Sequence, residues 1–155
     1  MKIGMIVYSQ TGNTLAVAER LQQQLSAQGH DASLQRLQVV AGSSKQARDV
    51  RIAELPDLNG YQALVLCSPV QGFSLAPAMK IYLAQVQLSS GLPVALLMTQ
   101  HFPYPWMGGK QAIGQFQQAC RQQGAAIKGE MIVNWSNSRR EQQIRDGISK
   151  LASLF

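Results

Sequence analysis

Apolar and polar positions change period several times along the chain, and each change marks an element. Ile3, Met5, Ile6 and Val7 make Lys2 to Tyr8 a nearly continuous apolar run, as expected of a strand covered on both faces in a parallel sheet. From Thr14 the period lengthens: Leu15, Ala18, Leu21 and Leu25 recur at three and four residues, while Glu19, Arg20, Gln22 and Gln23 take the other face. This predicts an amphipathic helix, ended by Gly29. A second strand is predicted from Asp31 to Val40, although Gln35, Arg36 and Gln38 interrupt it. In the stretch from Ala41 to Leu58, Gly42-Ser43-Ser44 reads as a loop, weakly helical residues follow, and Pro56-Asp57 closes it; the pattern defines no further element there.

The second half is clearer. Tyr61 to Cys67 is a buried strand, followed by a loop from Ser68 to Ser74 and a helix near Ala76 to Leu88. Pro77 suits that helix's first turn, where a missing N–H costs nothing. Pro93 to Met98 is a fourth strand, and Thr99 to Gly109 a loop rich in aromatics and short of charge. Ile113, Phe116 and Cys120 mark one face of a helix running to Gly124, and Ala126 to Trp135 returns as a fifth strand. Ser138 and Glu141 have capping-box spacing for a last helix carrying Ile144, Ile148 and Leu151.

Strands alternating with helices at this spacing predict one α/β domain over residues 1 to 155, with a five-stranded parallel sheet, right-handed crossovers and helices on both faces. In such sheets ligands bind beyond the carboxyl ends of the strands, near the switch point in strand order. The loops after strands one, three and four should therefore form one site.

Composition changes this picture little. Apolar residues make up 46% and charged residues 14%, which excludes a disordered or solvated tail. The formal charge of +6 raises the question of an acidic partner or nucleic acid, but the cations are dispersed. Lys45, Arg48 and Arg51 fall in one segment, Lys110 and Arg121 in another, and Arg139, Arg140 and Arg145 near the end, with no DNA or RNA signature beside them. Nucleic acid is not expected as a partner. Cys67 and Cys120 form no C-x-x-C motif and lie in apolar stretches, as reduced, buried thiols would. The first apolar run is too short for a membrane span and lacks a cleavage site, so a cytoplasmic protein is expected.

The chemistry concentrates at Ser9-Gln10-Thr11-Gly12-Asn13-Thr14, between the first strand and the first helix. Hydroxyls and backbone N–H groups converge there on a helix N-terminus, whose dipole favours negative charge, and Gly12 permits close approach. The loop matches neither a Walker P-loop nor the G-x-G-x-x-G fingerprint. With no lysine in it, the loop suits a phosphate monoester retained as a handle better than a phosphoryl group in transfer. The same residue types also serve an ordinary helix N-cap.

The run Ile6 to Thr14 resembles the FMN phosphate loop of the flavodoxin family. Asp57-Leu58-Asn59-Gly60-Tyr61 before strand three, Ser68-Pro69-Val70 after it, and Gly108-Gly109 at the head of the next helix resemble a bacterial subgroup of flavodoxin-like proteins. The resemblance implies a three-layer sandwich with strand order 2-1-3-4-5 and non-covalent FMN. Ser9, Gln10, Thr11, Gly12, Asn13 and Thr14 would hold the phosphate. Pro69, Val70, Gln71, Gly72 and Phe73 from the second loop, with Thr99, Gln100, His101, Phe102 and Gly108 from the third, would flank the isoalloxazine ring. No side chain takes a catalytic or metal-binding role, because the flavin carries the electrons.

This chain departs from that family in two ways. Its second loop offers only Phe73 as an aromatic, whereas the third offers His101, Phe102, Tyr104 and Trp106, any of which can stack. Familiar members are acidic around the flavin, while the three loops here contain no Asp or Glu, so a reduced, anionic flavin is penalised less and its potential should be less negative. Two flavin functions follow: an electron carrier serving a redox partner protein or an NAD(P)H-linked reductase, and an FMN-dependent NAD(P)H oxidoreductase of quinone-type acceptors. A flavin-free phosphate-binding module on the same fold is the third alternative.

Overall fold

The computed structural model describes residues 1–41 and 50–155. The predicted Gly42-Ser43-Ser44 loop and the weakly helical residues after it, including Lys45 and Arg48, lie outside the described residues.

Five parallel strands form the central sheet: β1 (Lys2–Val7), β2 (Asp31–Arg36), β5 (Ala63–Gln71), β7 (Pro93–Gln100) and β8 (Ala126–Asn134). Their order is β2-β1-β5-β7-β8, which is the predicted 2-1-3-4-5 when only these strands are counted. The switch in direction falls between β1 and β5. Helices α1 (Asn13–Ala27) and α4 (Arg140–Ala152) cover one face, and α2 (Pro77–Gln85) and α3 (Gly109–Arg121) cover the other.

The unbroken apolar runs separate into two cores because successive strand residues point to opposite faces. Met5, Val7, Val65, Cys67, Ala95 and Leu97 pack with α1 and α4. Ile6, Leu64, Leu66, Val94, Leu96 and Met98 pack with α2 and α3, around Phe116 and Tyr82. Cys67 and Cys120 therefore belong to different cores, and both are free and buried. Burial pushes both thiols up, Cys120 to about 12.

Several element boundaries differ from the sequence expectation; α2 ends at Gln85 and not near Leu88, and α3 at Arg121 and not Gly124. The second strand stops at Arg36, short of the expected Val40, with Leu37 buried on the α2 side of the sheet and Ala32 and Leu34 on the α1 side. Val39–Ala41 then forms a separate strand, β3, paired antiparallel with β4 (Val50–Ile52). The third strand continues through Ser68 to Gln71 and folds back on β6 (Ser74–Leu75), so the expected loop is a hairpin. Thr99 and Gln100 are the last two residues of β7 and not loop. At α4 the capping box is absent: Asn137 Oδ1 accepts from the Arg139 N–H at 2.8 Å, while Glu141 leaves the helix end for Arg20 on α1. That ion pair is two-pronged, at 2.7 and 3.1 Å, and holds the Glu141 carboxyl below the usual range.

Candidate functional site

The loop between β1 and α1 begins where Val7 ends the first strand. Ser9 is buried, and its Oγ accepts from the N–H groups of Gly12 and Leu15, both at 3.2 Å. Gly12, at φ +96°, turns the chain into α1 and caps it without a side chain. Thr14 is buried, and its hydroxyl lies 2.8 Å from that of Thr99, which ties the start of α1 to the end of β7. Among the described residues, the N–H groups of Gln10, Thr11, Asn13 and Thr14 have no protein acceptor. They cluster where the α1 dipole is positive, so the loop has the donor set an anion requires. The Ser9 hydroxyl proton remains available for donation, since its oxygen only accepts, and Thr11 is exposed at the rim.

Sequence reasoning missed Arg36. Register pairs it with Val7, and its guanidinium donates to the Ser9 carbonyl at 2.7 Å. A trans peptide points N–H opposite to C=O, so gripping the Ser9 carbonyl also fixes the direction of the Gln10 N–H. The signal available in the sequence was the strand order itself, which sets the end of β2 beside the loop that follows β1.

The second segment is a two-residue hairpin. Gln71 pairs with Ser74, and Gly72 and Phe73 between them both have positive φ, +58° and +61°. Such a tight turn matches the twist of its strands but asks for left-handed backbone at both central positions, and only one of them is glycine here. The strain at Phe73 is held from two sides. Its ring is parallel to that of Phe102 within 1°, with centroids 5.5 Å apart, and its backbone lies against Gly108 at the head of α3. A Cβ on Gly108 would fall 2.9 Å from the Phe73 Cα. Gln71 in turn donates to Gln10 at 2.6 Å, joining the hairpin to the first loop. Pro69 and Val70 are half-buried near the end of β5, paired with Thr99 and Leu75.

In the third segment Gln100 is buried. Its amide donates to the Tyr104 carbonyl at 2.6 Å and to Asn134 Oδ1, and Asn134 is held by Gln143 of α4. Gln100 Oε1 has no protein partner among the described residues. The side chains of Thr14, Thr99 and Gln100 are thus committed to the protein interior and shape the loops from below. His101 and Phe102 are exposed and meet edge to face, and Tyr104 stacks on Trp106. Sequence reasoning also missed a fourth loop: Ser136 Oγ donates to the His101 carbonyl at 2.6 Å, and Asn137 to the Pro103 carbonyl at 2.9 Å.

All three predicted loops therefore meet at the carboxyl edge, on either side of the switch point. A separate groove of about 870 Å³ lies between α2 and α3. Among the described residues no three His, Cys, Asp or Glu side chains cluster as a metal site, and no helix is long and apolar enough to cross a membrane.

No protein-family description matches the chain, and no curated protein matches it in sequence. Solved structures do match it in shape over nearly its whole length. A flavodoxin from Streptococcus pneumoniae TIGR4 superposes with a TM-score of 0.70 at 18% identity, covering 99% of this chain and 96% of that one. A flavoprotein from Lactobacillus acidophilus, solved in complex with FMN, gives 0.65 at 17% identity over 94% and 97%. An azoreductase from Bacillus anthracis gives 0.69 at 12% identity over 99% and 98%. The fold is flavodoxin-like, as the resemblance in the sequence implied.

Proposed function

We propose that the protein binds FMN non-covalently at the carboxyl edge and works as an electron carrier. The observation that carries this reading is the group of four unpartnered backbone N–H donors at the start of α1, gathered around the Ser9 hydroxyl. Gln10, Thr11, Asn13 and Thr14 donate to the phosphate through their N–H groups, Ser9 and Thr11 add hydroxyls, and Arg36 keeps the Ser9–Gln10 peptide in register. The Phe73 and Phe102 planes and His101 border the ring, with Gly108 fixing the hairpin tip. The flavin, when bound, supplies the redox chemistry; the chain orients it and sets the charge around it. No carboxylate occurs in the three loops, so the reduced form is less disfavoured than in acidic flavodoxins and its potential is less negative. Buried, unpaired thiols support a reducing compartment, the cytoplasm.

Flavodoxins among the fold neighbours favour a carrier serving a redox partner protein. An azoreductase among the fold neighbours supports a second reading, an FMN-dependent NAD(P)H oxidoreductase of quinone-type acceptors. Mixing FMN-loaded protein with NADPH and a quinone separates them. A carrier gives no partner-free NADPH oxidation, whereas sustained turnover establishes the reductase.

A further inference from the structure

Among the described residues, the segments around this site carry four cations, and Glu141, the residue after Arg140, is neutralised by its ion pair with Arg20 on α1. Arg36 closes β2, Lys110 follows Gly109 at the start of α3, and Arg139 and Arg140 follow β8; all four are exposed. The segments that make up the edge, residues 8–14, 36–41, 68–76, 99–110 and 134–140, contain no Asp or Glu. A local charge of +4 thus sits on one rim of a chain whose net charge is +6. The rim is continuous: Arg36 holds the first loop, the first loop meets the hairpin through Gln10 and Gln71, Phe73 stacks on Phe102, and Asn137 bonds the loop of Phe102 to the one bearing Arg139. Within it, Phe73, Phe102, Tyr104 and Trp106 are 54, 40, 51 and 71% exposed. Aromatic side chains inside a charged rim are the composition of a protein–protein interface.

Resting on the FMN reading, we propose that this edge docks an acidic one-electron protein, whose carboxylates meet Arg36, Lys110, Arg139 and Arg140 around the aromatic patch. A reduced iron–sulfur protein fits this description: one electron leaves its cluster and enters the bound flavin, with no bond broken between the proteins. The cations come from three separate segments, the ends of β2 and β8 and the start of α3, with exposed aromatics between them in the chain and no nucleic-acid motif beside them, which favours a protein over nucleic acid.

The test uses FMN-loaded protein and two probes, an acidic plant-type [2Fe–2S] ferredoxin as reductant and a basic c-type cytochrome as oxidant, followed by stopped flow at rising salt. The ferredoxin reaction should slow by about tenfold or more between low and high salt, and the cytochrome reaction should quicken. The double variant Lys110→Glu, Arg139→Glu changes two exposed residues whose side chains hydrogen-bond to no other described residue. It should cut the low-salt ferredoxin rate by about tenfold and flatten its salt dependence, with FMN affinity unchanged. Opposite salt slopes, or a ferredoxin rate unmoved by the double variant, overturn the proposal. A short DNA duplex that competes with ferredoxin at the same salt also overturns it, in favour of a general polyanion surface. Failure of the wild-type protein to bind FMN overturns the cofactor reading instead.

Discussion

Replacing Gly108 by alanine probes how the second and third loops are locked together. Two costs arise there. At φ +115° an L side chain is strained by about 1–2 kcal/mol, and the new Cβ would sit 2.9 Å from the Phe73 Cα, a backbone atom that cannot swing aside. Overpacking of this kind costs about 1–3 kcal/mol. Gly12 is the natural control: its φ is +96°, but a methyl group added there would meet nothing within 4 Å. Gly12→Ala therefore carries strain alone, offset in part by alanine's less flexible unfolded chain, a net of about 1 kcal/mol. Gly108→Ala should cost about 2–4 kcal/mol. Urea unfolding of the two apoproteins, with unchanged slopes, measures both. A Gly108→Ala loss within about 0.5 kcal/mol of the Gly12→Ala loss would refute the packing of the hairpin tip against the head of α3.

Other perturbations separate binding from folding. Arg36→Gln removes a charge-assisted hydrogen bond worth about 1–2 kcal/mol to the phosphate loop, so FMN affinity should fall about 5–30-fold with riboflavin affinity nearly unmoved, as read by fluorescence titration; equal losses for both ligands would contradict a phosphate-end role. Tyr82 is fully buried, and its hydroxyl has no partner among the described residues, so Tyr82→Phe should be neutral or stabilise by about 1 kcal/mol, and a clear destabilisation in urea would show a partner for that hydroxyl. Because burial pushes both thiols up, a thiol-specific disulfide reagent at about pH 8 should label neither Cys67 nor Cys120 until denaturant is added.

Much of this fold could be read from periodicity because its strands are buried on both faces. The runs at Ile3–Val7, Leu64–Cys67 and Val94–Met98 have no competing interpretation, and their alternation with the Leu15–Leu25 and Ile113–Cys120 stripes dictates a parallel sheet. Where the reading failed, a tertiary partner decided the outcome. Ser68 to Gln71 looks like loop, since it contains Pro69 and precedes Gly72, yet β7 and β6 supply its pairing. Phe73 in a left-handed conformation cannot be anticipated from propensity, because Phe102 and Gly108 hold it from 29 and 35 positions away. Glu141 has local capping spacing, but the long-range Arg20 wins its carboxylate.

The site was legible in the same uneven way. Ser9 to Thr14 was visible because residue types and their order at a strand–helix junction state the chemistry directly. Arg36 was not, since its role depends on the register of β2 against β1, and in sequence it only interrupts an apolar stretch. Thr14, Thr99 and Gln100 were readable as members of the right loops, but not as side chains turned inward.

FMN binding itself is the central claim, and titrating apoprotein into FMN and, separately, into riboflavin tests it most directly. Quenched FMN fluorescence with a shifted absorption band at micromolar protein, and at least about tenfold weaker riboflavin binding, is the predicted result. Free-FMN fluorescence unchanged by micromolar protein would contradict it and leave a flavin-free, phosphate-binding module on the same fold.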